Sequence, residues 1–208
     1  MENFLHRLFL NKCYLCDNEG DVICNKCLNE FKFIGKVSRF NYSFFEYNDI
    51  ARKTLSLSKY PPYYFYLIKY LTLYGLKNFD QAYLNSIYYP IMCPVPLSFP
   101  KIFERGFNQS ELICQTIEKE LKIPYLNLLK RVRDTKPLFE LNKEERKREL
   151  RNAFKTRYSL FLSHILGYKK VILVDDLITT STTLSLCKRE INKLGPKEVY
   201  FLTLFSKK

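Results

Sequence analysis

Four of the seven cysteines, Cys13, Cys16, Cys24 and Cys27, follow the pattern C-x2-C-x7-C-x2-C. Each C-x2-C turns two thiolates toward one point, and two such pairs complete the tetrahedron that Zn2+ prefers. Asp17-Asn18-Glu19-Gly20-Asp21 between them is rich in turn formers, as a chain reversal requires. A redox site needs a single C-x-x-C between a strand and a helix, so the tandem pairs point to metal. With all four positions filled by sulfur, no place is left for water or substrate, and the zinc is expected to be structural. A second concentration of chemistry is Asp175-Asp176, followed by Leu177-Ile178 and then Thr179, Thr180, Ser181, Thr182 and Thr183. Adjacent carboxylates can accept hydrogen bonds from vicinal sugar hydroxyls. A hydroxyl-rich turn that opens a helix offers free N–H groups and the positive end of the helix dipole to a phosphate. Together the two features suit a sugar phosphate.

The elements that must position these groups read as follows. Residues 171–174 are a continuous apolar run, as in a strand buried on both faces. The run ends at the two aspartates, and residues 177–183 read as a loop. The next helix carries Leu184, Cys187, Ile191 and Leu194 on one side; Gly195 closes it and Pro196 prevents continuation. Residues 199–205 supply another strand, so the unit is strand, helix, strand, and ligands bind such sheets beyond the carboxyl ends of the strands. Upstream, Ile91-Met92-Cys93-Pro94-Val95-Pro96-Leu97 is a short strand bounded by prolines. Asn108 with Glu111 three residues on predicts a helix start, with Leu112, Ile113, Ile117 and Leu121 on its apolar face. Residues 40–47 predict one or two strands, and 63–76 an aromatic-rich helix with Lys69 as its one charge. That helix is expected to be buried or in a subunit contact, with stacking on single-stranded bases as the other option. Cys93, Cys114 and Cys187 read as buried small hydrophobes.

The chain has 208 residues, 47% of them hydrophobic and 16% aromatic, which excludes wholesale disorder and allows one ordinary core plus a small appendage. Residues 1–10 carry Glu2 and Arg7 and no long apolar stretch, so a secretory signal is not expected. A cytosolic setting follows, and with it thiols or metal ligands instead of disulfides. The longest uncharged run, 81–100, holds four prolines and cannot be one spanning helix. The formal net charge of +13 attracts polyanions. Residues 130–157 hold eleven Lys or Arg against five acids; part is a solvated helix face, with Glu144 spaced to pair with Arg148. The remainder, taken as Lys130, Arg131, Lys143, Arg146, Lys147, Arg148 and Arg151, could follow a nucleic-acid backbone in a salt-sensitive, sequence-blind manner.

Residues 174–183, Val-Asp-Asp-Leu-Ile-Thr-Thr-Ser-Thr-Thr, resemble the phosphoribosyl pyrophosphate loop of type I phosphoribosyltransferases. With the cysteine tetrad, Pro94-Val95-Pro96-Leu97 and Arg105-Gly106-Phe107-Asn108-Gln109, the chain resembles the ComF/GntX family of competence proteins, ComFC-like in layout. The resemblance implies an α/β fold: a type I phosphoribosyltransferase-like parallel sheet with flanking helices over 39–208, preceded by a four-cysteine zinc knuckle over 1–38. It implies that Asp175 and Asp176 hold the ribose hydroxyls and act in any catalysis, while Thr179, Thr180, Ser181, Thr182 and Thr183 wrap the 5′-phosphate. Pro96, Leu97, Arg105, Asn108 and Gln109 would stand near the pyrophosphate, and Arg131, Arg133 and Thr135 match the stretch that hoods the site. Mg2+ would accompany phosphoribosyl pyrophosphate. Departures from the family pattern are Ser181 for Gly, Leu138 for Gln and Glu149 for Asn. The implied role is binding of single-stranded DNA and help in its uptake or inner-membrane translocation during natural transformation. Its partners would be the DNA-uptake machinery, such as an inner-membrane channel or helicase. The implied location is cytoplasmic or peripheral at the inner membrane. The other function that the loop allows is an active phosphoribosyltransferase of nucleotide metabolism.

Overall fold

The computed structural model describes residues 12–80, 82–83, 87–133, 152–157, 160–167, 169–179 and 182–207. After the cysteine loop and a one-turn helix α1 (Asn25–Leu28), a hairpin of β1 (Phe33–Ser38) and β2 (Asn41–Glu46) enters the main sheet. Two helices follow, α2 (Asp49–Lys59) and α3 (Phe65–Lys77). Then come β3 (Pro90–Pro94), α4 (Phe99–Arg105) and α5 (Gln109–Leu121). A small hairpin of β4 (Leu129–Arg131) and β5 (Phe154–Thr156) precedes α6 (Leu160–Leu166). The chain closes with β6 (Lys170–Ile178), α7 (Thr182–Ile191), a 3-10 turn (Asn192–Leu194) and β7 (Glu198–Ser206).

The main sheet has the order β1-β2-β7-β6-β3; β2, β7, β6 and β3 are mutually parallel, and β1 is antiparallel at the edge. Strand alternation divides the apolar residues of β6 between two cores. Ile172 and Val174 face a core shared with α2, α3 and α5, whereas Val171 and Leu173 face one shared with α7 and the β4–β5 hairpin. This is the sandwiched parallel sheet that the apolar run at 171–174 predicts. The strand does not stop there. It continues through Asp175 and Asp176 to Ile178, because β7 offers paired backbone as far as Ser206. The segment 177–178 is therefore strand, not loop.

The helices form where local signals place them. Asn48 caps α2 by accepting from the Ala51 N–H, and Ile50, Ala51, Thr54, Leu55 and Ser58 make its buried stripe. The same spacing recurs in α3, with Leu67, Ile68, Leu71, Thr72 and Gly75 turned inward. Gly75 is required by packing: a Cβ there would lie 2.7 Å from Phe44 Cδ1. The tyrosines of α3 serve the interior, since Tyr74 stacks on Phe45 and Tyr70 donates to Asp21 in the cysteine loop. The aromatic-rich helix is thus a core element, and its rings are engaged by protein.

The cysteine loop is packed on the same core. Cys13, Leu15, Ile23, Cys27, Leu28 and Phe31 join the cluster that contains Phe44, Phe45 and Phe205. Lys53 donates to the Leu15 carbonyl at 2.6 Å, and the rings of Tyr14 and Tyr64 lie 4.4 Å apart. The 38/39 division drawn from sequence falls in the turn between β1 and β2, two paired strands of one sheet. Among the described residues, no helix is long and apolar enough to cross a membrane.

Candidate functional site at the carboxyl edge of the sheet

The ligand atoms of Cys13, Cys16, Cys24 and Cys27 all lie within 4.8 Å of one another. Zinc–sulfur bonds of about 2.3 Å in a tetrahedron place sulfurs about 3.8 Å apart. The Cys16 and Cys24 sulfurs, 3.6 Å apart, already have that spacing. Backbone bonds build the loop: Cys13 N–H donates to Asn18, Asp17 N–H to Cys13, and Tyr14 N–H to Val22. Asp17 and Gly20 take positive φ (59° and 149°), and Gly20 passes so close to Cys24 that a Cβ would sit 3.2 Å from the cysteine Cβ. Hydrogen bonding from the Cys27 backbone, with the neighbouring thiols, lowers Cys24 to about 7, while burial pushes Cys27 up. A divalent cation is the group whose charge would let four thiolates share the space.

The second site lies where β6 leaves the sheet. Asp175 Oδ1 accepts from Ser110 Oγ and from the Asp176 N–H, both at 2.9 Å. Burial, then the neighbouring Asp176, raises the Asp175 carboxyl from 3.8 to about 7, against the pull of Lys59. Asp176 is buried and ion-paired with Lys59, Nζ to Oδ2 2.6 Å. Ser110 belongs to α5 and Lys59 to α2, so both carboxylates are reached by helices of the same layer, the one packed on Ile172 and Val174. Asn108 caps α5 by accepting from the Ser110 N–H and donates its own amide to the Val95 carbonyl at 2.9 Å. Val95 N–H in turn donates to Val174, which fixes the turn of Pro96 and Leu97 beside the aspartates. Gln109 donates to the Ser58 carbonyl, tying the start of α5 to the last turn of α2, the turn that carries Lys59. Four segments therefore converge: the ends of α2, β3 and β6 and the start of α5. Arg105 closes α4, with its Nε buried and unpaired among the described residues.

Thr179 follows β6 and is exposed, and Thr182 and Thr183 open α7. Lys130 and Arg131 lie on β4, where the Arg131 guanidinium sits 5.5 Å from the Phe154 ring centre and its Nε donates to the Arg133 carbonyl. Thr135, Lys143, Arg146, Lys147, Arg148, Arg151, Thr180 and Ser181, with Leu138 and Glu149, lie outside the described residues. The sequence reading missed Lys59, Ser110 and Ser58. Each lies far along the chain from its partner, and only the end of a helix or a cap marks it locally.

Residues 119–208 match the phosphoribosyl transferase domain, which takes in β6 and its aspartates. Over 131 residues the chain is 38% identical to Competence protein F of Haemophilus influenzae, across 62% of this chain and 54% of that protein. It is 26% identical over 159 residues to Competence protein ComFC of Bacillus subtilis, across 76% of this chain and 60% of that protein. Over these segments the chain is similar to the ComF competence proteins. DNA utilization protein YhgH of Escherichia coli is 34% identical over 92 residues, across 44% of this chain and 38% of that protein. The chain thus spans about half the length of the curated ComF relatives it matches. Adenine phosphoribosyltransferase from Leishmania donovani aligns with 85% of the chain, across 86% of its own, at a TM-score of 0.38 and 14% identity, too low to add to the assignment.

Proposed function

We propose that this chain binds phosphoribosyl pyrophosphate with Mg2+ at the carboxyl edge of its sheet. We further propose that it acts in natural transformation as a single-stranded DNA-binding protein that helps DNA uptake or inner-membrane translocation. The observation that carries the first part is the paired Asp175 and Asp176 at the end of β6, with Lys59, Ser110 and the Val95 turn gathered around them. The names of the relatives, competence and DNA utilization proteins, support the second.

In this reading the aspartates accept hydrogen bonds from the two ribose hydroxyls, which requires Asp175 to be ionised. Lys59 holds Asp176 in place through its ion pair. The hydroxyls of Thr179, Thr180, Ser181, Thr182 and Thr183, with the start of α7, take the 5′-phosphate. The Pro96–Leu97 turn and Arg105 face the pyrophosphate, whose charge Mg2+ offsets, and Arg131, Arg133 and Thr135 cover it. Asn108 and Gln109 act by positioning: one caps α5 and holds the turn, the other holds α2. Zinc on Cys13, Cys16, Cys24 and Cys27 is structural. The chain works in the cytoplasm or at the inner membrane face, beside a channel or helicase of the uptake machinery.

A second reading, an active phosphoribosyltransferase of nucleotide metabolism, draws on the domain match over 119–208. Its reaction would break the C1′–oxygen bond, with pyrophosphate leaving with the electron pair and a nucleobase or amine capturing C1′. A thermal-unfolding series separates the cases. Mg2+–phosphoribosyl pyrophosphate at about a hundred times its Kd should add about 2.7 kcal/mol, a rise of roughly 5–10 °C. Asp176→Ala should abolish the rise, and an equal rise in that variant would defeat the binding claim. Pyrophosphate release with an acceptor panel, lost in Asp175→Ala, would favour the enzyme; ligand binding without release favours the competence role.

A further inference from the structure

The opposite end of the sheet, where the parallel strands begin, carries a second chemical surface. Lys170 and Glu198 open β6 and β7, with Lys169 and Lys197 just before them, and Tyr88 and Tyr89 precede β3. Arg39 and Phe40 precede β2 at the same end, where the Phe201 N–H donates to the Phe40 carbonyl. Cations lie over rings throughout: Lys169 is 4.9 Å from the Tyr89 centre, Arg39 5.0 Å and Lys188 5.6 Å from Phe40, and Lys188 5.7 Å from Phe201. Tyr88 and Tyr89 are 70% and 66% exposed, with rings 5.2 Å apart in an edge arrangement. The acids nearby are already engaged. Glu198 accepts from Arg39 at 3.0 Å and pairs with Lys170 at 3.1 Å, and Glu190 pairs with Lys193 at 2.7 Å. No ion pair among the described residues includes Lys169, Lys188 or Lys197.

Ammonium groups with no ion-pair partner among the described residues, interleaved with the exposed rings of Tyr88 and Tyr89, fit one class of partner, a single-stranded nucleic acid. Its phosphates meet the cations, and its bases stack on the rings without regard to sequence. A duplex would leave the rings unused, since its bases are already stacked. We propose that this strand-start surface, centred on Tyr88, Tyr89, Lys169, Lys188 and Lys197, is the single-stranded DNA interface of the protein. The inference rests on the DNA-binding reading above and adds the place. Lys170 and Asp175 are five residues apart on one strand, about 17 Å at 3.3 Å per residue, so the sugar-phosphate site and the DNA surface occupy opposite ends of the sheet. Both can be filled together.

The test is fluorescence anisotropy of a labelled oligo-dT with the zinc-loaded full chain, titrated across a range of salt. Lys169→Ala/Lys188→Ala/Lys197→Ala should flatten the log Kd against log salt slope by about 2, at about 0.7 per phosphate contact. Tyr88→Ser/Tyr89→Asn should weaken binding by on the order of fivefold or more per stacked base. Asn suits position 89, where φ is 48°. Both variants are surface changes, and unfolding curves matching the wild type would show that fold is kept. Wild-type binding that neither variant alters would overturn the proposed surface and leave the DNA reading standing. Absence of wild-type binding would overturn both. Loss of pelleting with phosphatidylglycerol vesicles, with oligo-dT binding unchanged, would assign the surface to membrane and also overturn the proposal.

Discussion

Replacing Asp175 by Asn should stabilise the protein at alkaline pH and leave it unchanged in acid. Burial and the adjacent Asp176 raise the Asp175 carboxyl from 3.8 to about 7. Below about pH 4 folded and unfolded chains both hold the proton, so the group adds no pH dependence. Between about pH 4 and pH 7 the unfolded chain has released it and the folded chain has not. Stability therefore falls by about 1.4 kcal/mol per pH step, and the loss is complete above about pH 7. The full rise corresponds to about 4 kcal/mol; partial access of solvent to this half-buried residue brings the expected figure to about 2–4 kcal/mol. Asn keeps an acceptor for the Ser110 hydroxyl and the Asp176 N–H while removing the charge. Urea unfolding followed by circular dichroism, at points from about pH 4 to pH 8, reads the difference between variant and wild type, in which other titrating groups cancel. The reasoning is refuted if the two stability curves run parallel over that range. In the proposed reading the ionised pair serves a ribose diol, so Asp175→Asn should also lose the ligand.

Three further outcomes are expected. Cys13→Ser, or chelation, should lower zinc below one per chain by metal analysis and unfold the α2–α3 side of the core as well as the loop, since Cys13 and Phe45 share one cluster; a loss confined to the cysteine loop in hydrogen exchange would contradict this. Gly75→Ala should cost about 1–3 kcal/mol in urea unfolding, because the new methyl meets Phe44; a neutral result would mean that α3 can slide. Asn108→Ala should cost about 1–2 kcal/mol from the lost cap and weaken phosphoribosyl pyrophosphate binding by freeing the Val95 turn; unchanged affinity would remove Asn108 from the positioning role.

What the sequence discloses depends on how local the cause is. The cysteine tetrad is legible because metal ligation demands a spacing, and the spacing is on the chain. The helix from Asn108 and the strand–helix–strand at the end are legible because caps and uninterrupted apolar runs are local signals. Asp175 and Asp176 stand out for the same reason. Their setting does not: Lys59 and Ser110 reach them only through the fold, and neither residue type is rare at the ends of helices. The length of β6 is also nonlocal, since Leu177 and Ile178 are held in strand by Phe205 and Ser206. The aromatics of 63–76 leave stacking on bases open beside the expected burial or subunit contact, and their partners, Phe45 and Asp21, decide for the interior. Charge is legible under the same condition. The run at 130–157 draws the eye because it is contiguous, whereas the cations at the strand starts come from separate parts of the chain.

The most direct test of the central claim is calorimetric titration of the folded, zinc-loaded protein with phosphoribosyl pyrophosphate and Mg2+, beside Asp176→Ala. One binding event per chain is expected, stronger at about pH 8 than at about pH 6 because Asp175 ionises near 7, and absent in the variant. No heat from the wild type, or the same heat from Asp176→Ala, would contradict the assignment of the aspartate pair as a sugar-phosphate site.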